Sequence, residues 1–401
     1  MNRQIVMPDF TKGTALGVMG GGQLGRMFVQ AAQSMGYETV VLDPDDNSPA
    51  GRISHHHIAT DYADEQGLAQ LIQRCAAVTT EFENVPASAL VTLGAALTVA
   101  PSAQAVAIAQ NRITEKDHLQ RSGVTVAPYT VIETMDQLSC VSHDLLPGIL
   151  KTARLGYDGK GQVGVNTRFE LASAWETLNQ VPCVLEKMLP LAMECSVIVA
   201  RGRNGHCVHY WPQRNKHRQG ILAMTQAYFE NMPAALAHQA IEATEKIAKE
   251  LNYVGVLCVE FFVLPQGSPE YAALGPLVAN EIAPRPHNSG HYTIDACDVS
   301  QFELQVRTLA GLPLVQPRQH SAAVMLNVLG DVGLNALNAN TPSTPPWEKV
   351  LALPGVHLHL YGKLEARKGR KMGHLTVTAS TASQANATAL EAARCLGMDA
   401  F

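Results

Sequence analysis

Val256-Leu-Cys-Val-Glu-Phe-Phe-Val263, then Leu277-Val-Ala-Asn-Glu-Ile-Ala-Pro-Arg-Pro-His-Asn-Ser-Gly-His291, are the two stretches from which the rest of the chain is read. Both begin as apolar or β-branched runs of strand length, and the stretch between them, with its Gly and Pro residues, reads as a connection. Each run carries one carboxylate, Glu260 and Glu281, where a sheet calls for an apolar side chain. Alternation along a strand places Glu260 on the same face as Val256, Cys258 and Phe262. An ionised carboxylate in such company is costly unless a cation or a donor meets it. Two acids on neighbouring strands, with the Asn280 amide beside them, make an oxygen ligand set suited to a hard divalent ion such as Mg²⁺. The residues leave a second reading open, in which a glutamate pairs with Arg285 or faces solvent on an edge strand.

At 401 residues the chain is too long for one small core, and two or three domains are expected. A hydrophobic content of 46% with 16% charged residues is that of an ordinary globular protein. A net charge of −5 supplies no overall attraction to nucleic acid or an anionic membrane, so any phosphate must be held by local clusters. The first ten residues lack the long apolar stretch of a signal peptide, and no apolar run approaches the roughly 18 to 20 residues of a membrane span. The eight cysteines are scattered and contain no Cys-x-x-Cys, a pattern of reduced core thiols in the cytosol rather than a disulfide frame or zinc site.

The order of elements predicts an α/β and α+β protein. Thr14–Met19, the turn Gly20-Gly-Gly-Gln-Leu-Gly25, a helix from about Arg26 to Met35 and the strand Thr39–Leu42 open a parallel α/β unit, which spans residues 1–110. Asn111–Arg121 reads as a charged amphipathic helix that starts a mixed segment, 111–310. That segment contains the strands Gly148–Thr152, Cys183–Lys187 and Cys195–Ala200 and a long helix from about Pro233 to Leu251. Residues 311–401 form a small β-rich unit with Ala322–Leu329, His357–Tyr361 and a terminal helix, and Thr341–Pro346 is the expected exposed loop.

Five further clusters carry chemistry. Gly20-x-Gly22-x-x-Gly25, between a strand and a helix, has the form of a backbone cradle for phosphate, with Asp43 about 18 residues beyond Gly25 where a ribose hydroxyl could be held. A dinucleotide, another phosphate or sugar ligand, and simple tight packing all remain open there; Arg26 favours an anion. Lys151, at a strand end, precedes a loop with three glycines, Gly156 to Gln162, which can fold over a triphosphate. Glu186-Lys187-Met188-Leu189 leaves an apolar strand where backbone groups could read an adenine, or where the strand simply meets solvent. His217 sits in a basic loop that could touch phosphate or water. The run Tyr361 to His374 concentrates five basic residues within about nine positions, a hairpin that could grip a monophosphate or be a solvated tip. The triple His55-His56-His57 suggests metal, but neighbours on a strand cannot all face one ion.

Taken in order, these segments resemble the ATP-grasp superfamily and, within it, the N5-carboxyaminoimidazole ribonucleotide synthetase family of purine biosynthesis. The motifs that carry the resemblance are Gly20–Arg26, Glu81-Phe-Glu-Asn-Val-Pro86, Gly156–Gln162, Asn280–His291, Tyr361-Gly-Lys363 and Gly369-Arg-Lys371, and they span nearly the whole chain. The resemblance implies an ATP-grasp core in 111–310 with a lid subdomain at about 120–190, and ATP- and bicarbonate-dependent carboxylation of the amine of 5-aminoimidazole ribonucleotide. It places Arg112, Lys151, Gly156, Tyr157, Asp158, Gly159, Lys160, Gly161, Gln162, Glu186, Lys187, Met188, Leu189, Glu194, His217, Asn280 and Glu281 about ATP. Gly22, Gln23, Leu24, Glu83, Tyr157, Asp158, His287, Asn288, Lys363 and Arg370 would meet the ribonucleotide, and Glu260 and Glu281 would bind Mg²⁺, with Mn²⁺ as a substitute. Lys151, Asp158 and Arg285 would be catalytic, and the family further implies a cytoplasmic homodimer. A longer N-terminal lead and extra residues around Leu264–Pro276 depart from the pattern without interrupting a motif.

The residues' own chemistry agrees. Bicarbonate is a poor electrophile, so joining it to an amine requires phosphorylation, and cations such as Lys151 and Arg285 can stabilise a transferring phosphoryl group. The Gly156–Gly161 loop is the expected lid that keeps water from the intermediate. Rival readings are a formate-dependent glycinamide ribonucleotide transformylase, a biotin carboxylase-like enzyme, a non-catalytic nucleotide-binding regulator and, from the Gly20 turn with Asp43, an NAD-dependent oxidoreductase.

Overall fold

The computed structural model describes residues 5–8, 13–156, 159–334 and 344–398; Tyr157, Asp158 and the first part of the expected 341–346 loop lie outside them. The N-terminal unit is a five-stranded parallel sheet ordered His56–Ile58, Glu38–Leu42, Ala15–Met19, Ala77–Thr80, Thr98–Val99. Every residue of Ala15–Met19 and Ala77–Thr80 is buried, as expected for strands covered by helices on both faces. The helix after the glycine turn starts at Gln23, earlier than its apolar pattern indicates. Its first amides are capped from a distant strand end: the Glu81 carboxylate accepts the Gly22 N–H, and the Gly25 N–H at 2.6 Å. A Cβ at Gly25 would stand 2.5 Å from the Gly20 carbonyl oxygen, so the turn tolerates only glycine there.

A four-stranded antiparallel sheet, ordered Tyr129–Ile132, Cys183–Lys187, Gly148–Thr152, Gln162–Val165, stands over a large antiparallel sheet. The large sheet runs from Leu277–Ala283 through Gly255–Val263, Met193–Arg201, Gln213–Arg218 and Ile221–Ala227 to Ala322–Leu329, Lys371–Ala379 and Val356–Leu360. It is continuous: Met224 pairs with Leu326, so the C-terminal strands extend the central sheet. Alternation on Gly255–Val263 sends Leu257, Val259 and Phe261 against the Ala234–Glu250 helix, and Val256 and Cys258 into a second core with Tyr292 and Leu304. Glu260 shares the parity of Val256 and Cys258.

The Arg112–Arg121 helix corrects one expectation. It is not amphipathic in the ordinary sense, because Glu115, Lys116 and His118 are buried along with Leu119. Its charges face inward since they have partners there: Glu115 accepts the Ile282 N–H at 2.6 Å. All eight cysteines are free thiols. Among the described residues, no helix is long and apolar enough to cross a membrane.

Candidate active site

Glu260 and Glu281 are direct cross-strand partners, and the register then slips so that Phe261 faces Ala279. Asn280 is thus the extra residue of a β-bulge, and a bulge turns a side chain that strict alternation would send to the opposite face. Glu260, Asn280 and Glu281 consequently line one cavity of about 750 Å³. Burial, reinforced by the Glu281 charge, pushes the Glu260 carboxyl up to about 7. The Asn280 side-chain oxygen is buried without a hydrogen-bond partner. Two opposed carboxylates and an orphaned amide oxygen fit a hard divalent cation. Their other neighbours are Arg112, 3.3 Å from Glu281, and His287, 3.3 Å from Glu260.

A pH dependence follows from the raised Glu260 pKa. Because a cation needs both acids ionised, Mg²⁺ affinity measured by calorimetry should rise as pH passes through about 7. Metal-free protein should behave oppositely. The folded state binds the extra proton between the ordinary value of 4.5 and about 7, so this group's stabilisation is complete below that window and is lost as pH rises across it. Denaturant titrations of wild type and Glu260→Gln in EDTA should therefore converge in slope only outside the window; identical pH profiles would contradict the assignment.

Behind the acids lies a buried three-charge cluster. The ammonium groups of Lys151 and Lys116 each stand 3.1 Å from one oxygen of Glu186, and Lys116 also donates to the Asn280 carbonyl at 3.1 Å. Burial alone would push Glu186 up, but the two lysines outweigh it and hold the carboxyl down at about 2. The second Glu186 oxygen is buried and unpartnered. Lys116 was missed from sequence, since in so charged a helix nothing marks one lysine as internal.

The expected nucleotide contacts divide. Arg112, Gly156, Gly159, Lys160, Gln162, Glu194 and His217 line the cavity with Lys151. Gly159 and Gly161 have φ of +78° and +70°, the left-handed turn the loop requires. His217 pairs with Glu194, which lifts the imidazole pKa against the effect of burial. The Lys187 and Met188 amides, expected to face an adenine, are committed to the carbonyls of Pro128 and Pro147 at 2.8 and 2.9 Å. The Lys187 ammonium pairs with Glu270 at 3.2 Å. Leu189 is buried in a small core beside Ala127 and Val278.

The same cavity is also lined by Gln23, Leu24, Glu83, Arg285, His287, Asn288 and Lys371. Arg285 donates to Glu83 at 2.6 Å, and the pairing raises the guanidinium pKa although burial opposes it. Both amide atoms of Asn288 are buried without partners, poised for a ligand. Burial holds the His287 pKa well below its ordinary value, so the ring is neutral. Three expectations change here. The Gly22 amide is already taken by Glu81. Lys363 donates to the Lys371 carbonyl at 2.8 Å and Arg370 to the Glu365 carbonyl at 2.9 Å, and neither lines the cavity. The hairpin cation that does reach it is Lys371.

The dinucleotide reading fails on the same turn. Asp43 accepts the Gly21 N–H and the Tyr62 hydroxyl, both at 2.6 Å, so the acid expected to hold a ribose holds the loop itself. With Glu81 on the other amides, the cradle is closed by the protein's own carboxylates. His55 and His57 bond to Thr39 and to the Asp43 carbonyl and gather no site.

The chain is similar to known proteins over most of its length. Residues 14–110 match the ribonucleotide synthetase preATP-grasp domain, 117–302 the ATP-grasp domain, and 323–388 the phosphoribosylaminoimidazole carboxylase C-terminal domain. The chain is 42% identical over 371 residues to the N5-carboxyaminoimidazole ribonucleotide synthase of Brucella melitensis, covering 91% of this chain and 96% of that one. The Staphylococcus aureus N5-carboxyaminoimidazole synthetase, solved with ADP, is 35% identical with a TM-score of 0.85 over 97% of this chain and 99% of that one. The Aspergillus clavatus synthase, solved with ADP and 5-aminoimidazole ribonucleotide, is 32% identical with a TM-score of 0.85, covering 96% and 99%.

Proposed function

We infer the chemistry from one premise: the chain belongs to the N5-carboxyaminoimidazole ribonucleotide synthase family. It is an ATP-dependent carbon–nitrogen ligase that carboxylates the amine of 5-aminoimidazole ribonucleotide in purine biosynthesis, with ADP and phosphate as co-products. The observation that carries the assignment to this cavity is the Glu260–Glu281 pair, which lines it together with Lys151 and with Glu83, Arg285 and Asn288.

Bicarbonate must be phosphorylated before an amine can displace oxygen from it, and the product, carboxyphosphate, must be kept from water. Glu260 and Glu281, with the Asn280 oxygen, would hold Mg²⁺ or Mn²⁺, which when bound neutralises charge on the terminal phosphates. Lys151 and Arg112 stabilise phosphate charge from the nucleotide side, and Arg285 does so from the substrate side, its pKa raised so that it never loses its proton. The orphaned Asn288 amide, neutral His287 and Gln23 would orient the ribonucleotide, with Lys371 as a further cation. Lys363 and Arg370 sit on the same hairpin and would need to release their carbonyl partners to grip its phosphate. The Gly156–Gln162 loop would close over the intermediate, with Tyr157 on the ribonucleotide and Asp158 orienting or deprotonating the amine. We further propose division into units 1–110, 111–310 and 311–401, a homodimer, and residence in the cytoplasm.

ADP release should require ATP, Mg²⁺, bicarbonate and aminoimidazole ribonucleotide together. An ATPase rate indifferent to the ribonucleotide would refute the proposal. Formate in place of bicarbonate, or biotin in place of the ribonucleotide, should give no turnover; product from either would move the chain to a rival chemistry.

A further inference from the structure

We propose that Asp295, His359 and His374, with His357 at their edge, form a binding site for a borderline divalent ion of the zinc class, separate from the carboxylate pair of the active site. One ligand atom from each of Asp295, His359 and His374 lies within 4.8 Å of the others. His359 and His374 are direct partners on adjacent strands, with rings stacked 4.4 Å apart between centroids. His359 Nε2 stands 2.9 Å from one oxygen of Asp295, and His357, two residues back on the same face, places Nδ1 3.7 Å from the other.

Two of the histidines, His357 and His374, have one nitrogen held as metal-binding imidazoles usually are, by an outer partner that fixes the ring. His374 Nδ1 bonds the Tyr361 hydroxyl at 2.9 Å, and His357 Nε2 bonds the Thr378 hydroxyl at 3.1 Å. What remains of His374 is Nε2, fully buried and without any partner. An Asp–His ion pair accounts for His357 and His359 but leaves that nitrogen unexplained, and a buried unsatisfied polar atom is unfavourable. A cation shared by Asp295 and the histidines would satisfy it.

Two or three imidazoles with one carboxylate suit zinc and its transition-metal neighbours, whereas Mg²⁺ prefers all-oxygen surroundings. Tetrahedral ligands about 2.0–2.1 Å from zinc stand roughly 3.4 Å apart, and stacked rings do not aim their in-plane nitrogens at one point, so binding requires the His359 imidazole to turn out of the stack as the cluster closes by on the order of 1 Å. The Asp295 side chain is 10% exposed and that of His359 28%, which leaves an entry path. The ion would tie the strand carrying Lys371 and His374 to the Thr293–Ala296 helix that follows the Asn280–His291 motif.

The test uses the untagged full chain, stripped with EDTA and dialysed into millimolar Mg²⁺ to fill the carboxylate pair. Equilibrium dialysis against Zn²⁺ in the same millimolar Mg²⁺ buffer should then retain one zinc ion per chain. Retention should weaken at least tenfold in Asp295→Asn and His359→Gln and stay unchanged in Glu281→Gln. In unsubstituted protein, Co²⁺ should give the intense visible bands of a four-coordinate nitrogen-ligated site, so the outcome does not depend on variants folding. No retained zinc, only the weak spectrum of hydrated Co²⁺, equal retention in the Asp295 and His359 variants, or loss in Glu281→Gln would each overturn the proposal.

Discussion

Glu281→Gln is expected to lower turnover at saturating ATP and ribonucleotide by more than about a hundredfold, because even partners outside a metal's direct ligands are worth 10–100-fold. The side chain is 40% exposed and among the described residues its ion-pair partner is Arg112, so the fold should survive and circular dichroism should be unchanged. The substitution removes the charge that helps hold Glu260 protonated, so Glu260 should titrate below about 7 in the variant, and the pH dependence of any residual Mg²⁺ affinity should shift down with it. Glu260→Gln should abolish turnover equally while stabilising metal-free protein at neutral pH, since a buried carboxylate facing another carboxylate is replaced by a neutral group. Turnover within a few-fold of wild type in either variant would refute the assignment of the pair.

The second large effect is on stability. Lys116→Met should destabilise the chain by about 3–5 kcal/mol, the range for removing one member of a buried charge group. Lys116 is fully buried, and its loss leaves Glu186 with Lys151 alone and the Asn280 carbonyl without its donor. Lys116→Met/Glu186→Gln should cost less than the sum of the two single changes, because Glu186→Gln alone strands two buried ammonium groups and the double variant only one, so a double-mutant cycle by urea unfolding would show strong coupling. The sign with pH follows from Glu186: its folded pKa is depressed to about 2, so the stabilisation it contributes is present above the ordinary carboxyl value and is lost as pH falls toward about 2. If Lys116→Met unfolds at the wild-type urea concentration, the cluster does not hold these strands together.

How much of this was legible beforehand depended on whether the determinant was local. The strands Gly148–Thr152, Cys183–Lys187 and Ala322–Leu329 have the limits their apolar runs and flanking turn residues indicate. The two acids at Glu260 and Glu281 stood out because a charge inside an apolar strand violates alternation, and that violation is visible in eight consecutive residues. The cationic hairpin was visible as a charge run, but which cation reaches the cavity was not. Only Lys371 does, because strand pairing from Lys371 onward sets which side chains of the hairpin face inward.

Backbone preference and side-chain period belong to adjacent residues, so strand positions, the glycine turn and the two acids set into apolar strands could be derived from the chain written out as letters. Three decisions belonged to contacts between distant segments: Glu81 closing the glycine turn, Lys116 turned inward beside Glu186, and the bulge that brings Asn280 around to join Glu281. Each is a competition between a charge or amide and water, and its outcome depends on which groups folding brings within about 3 Å. No pattern along the chain encodes that distance.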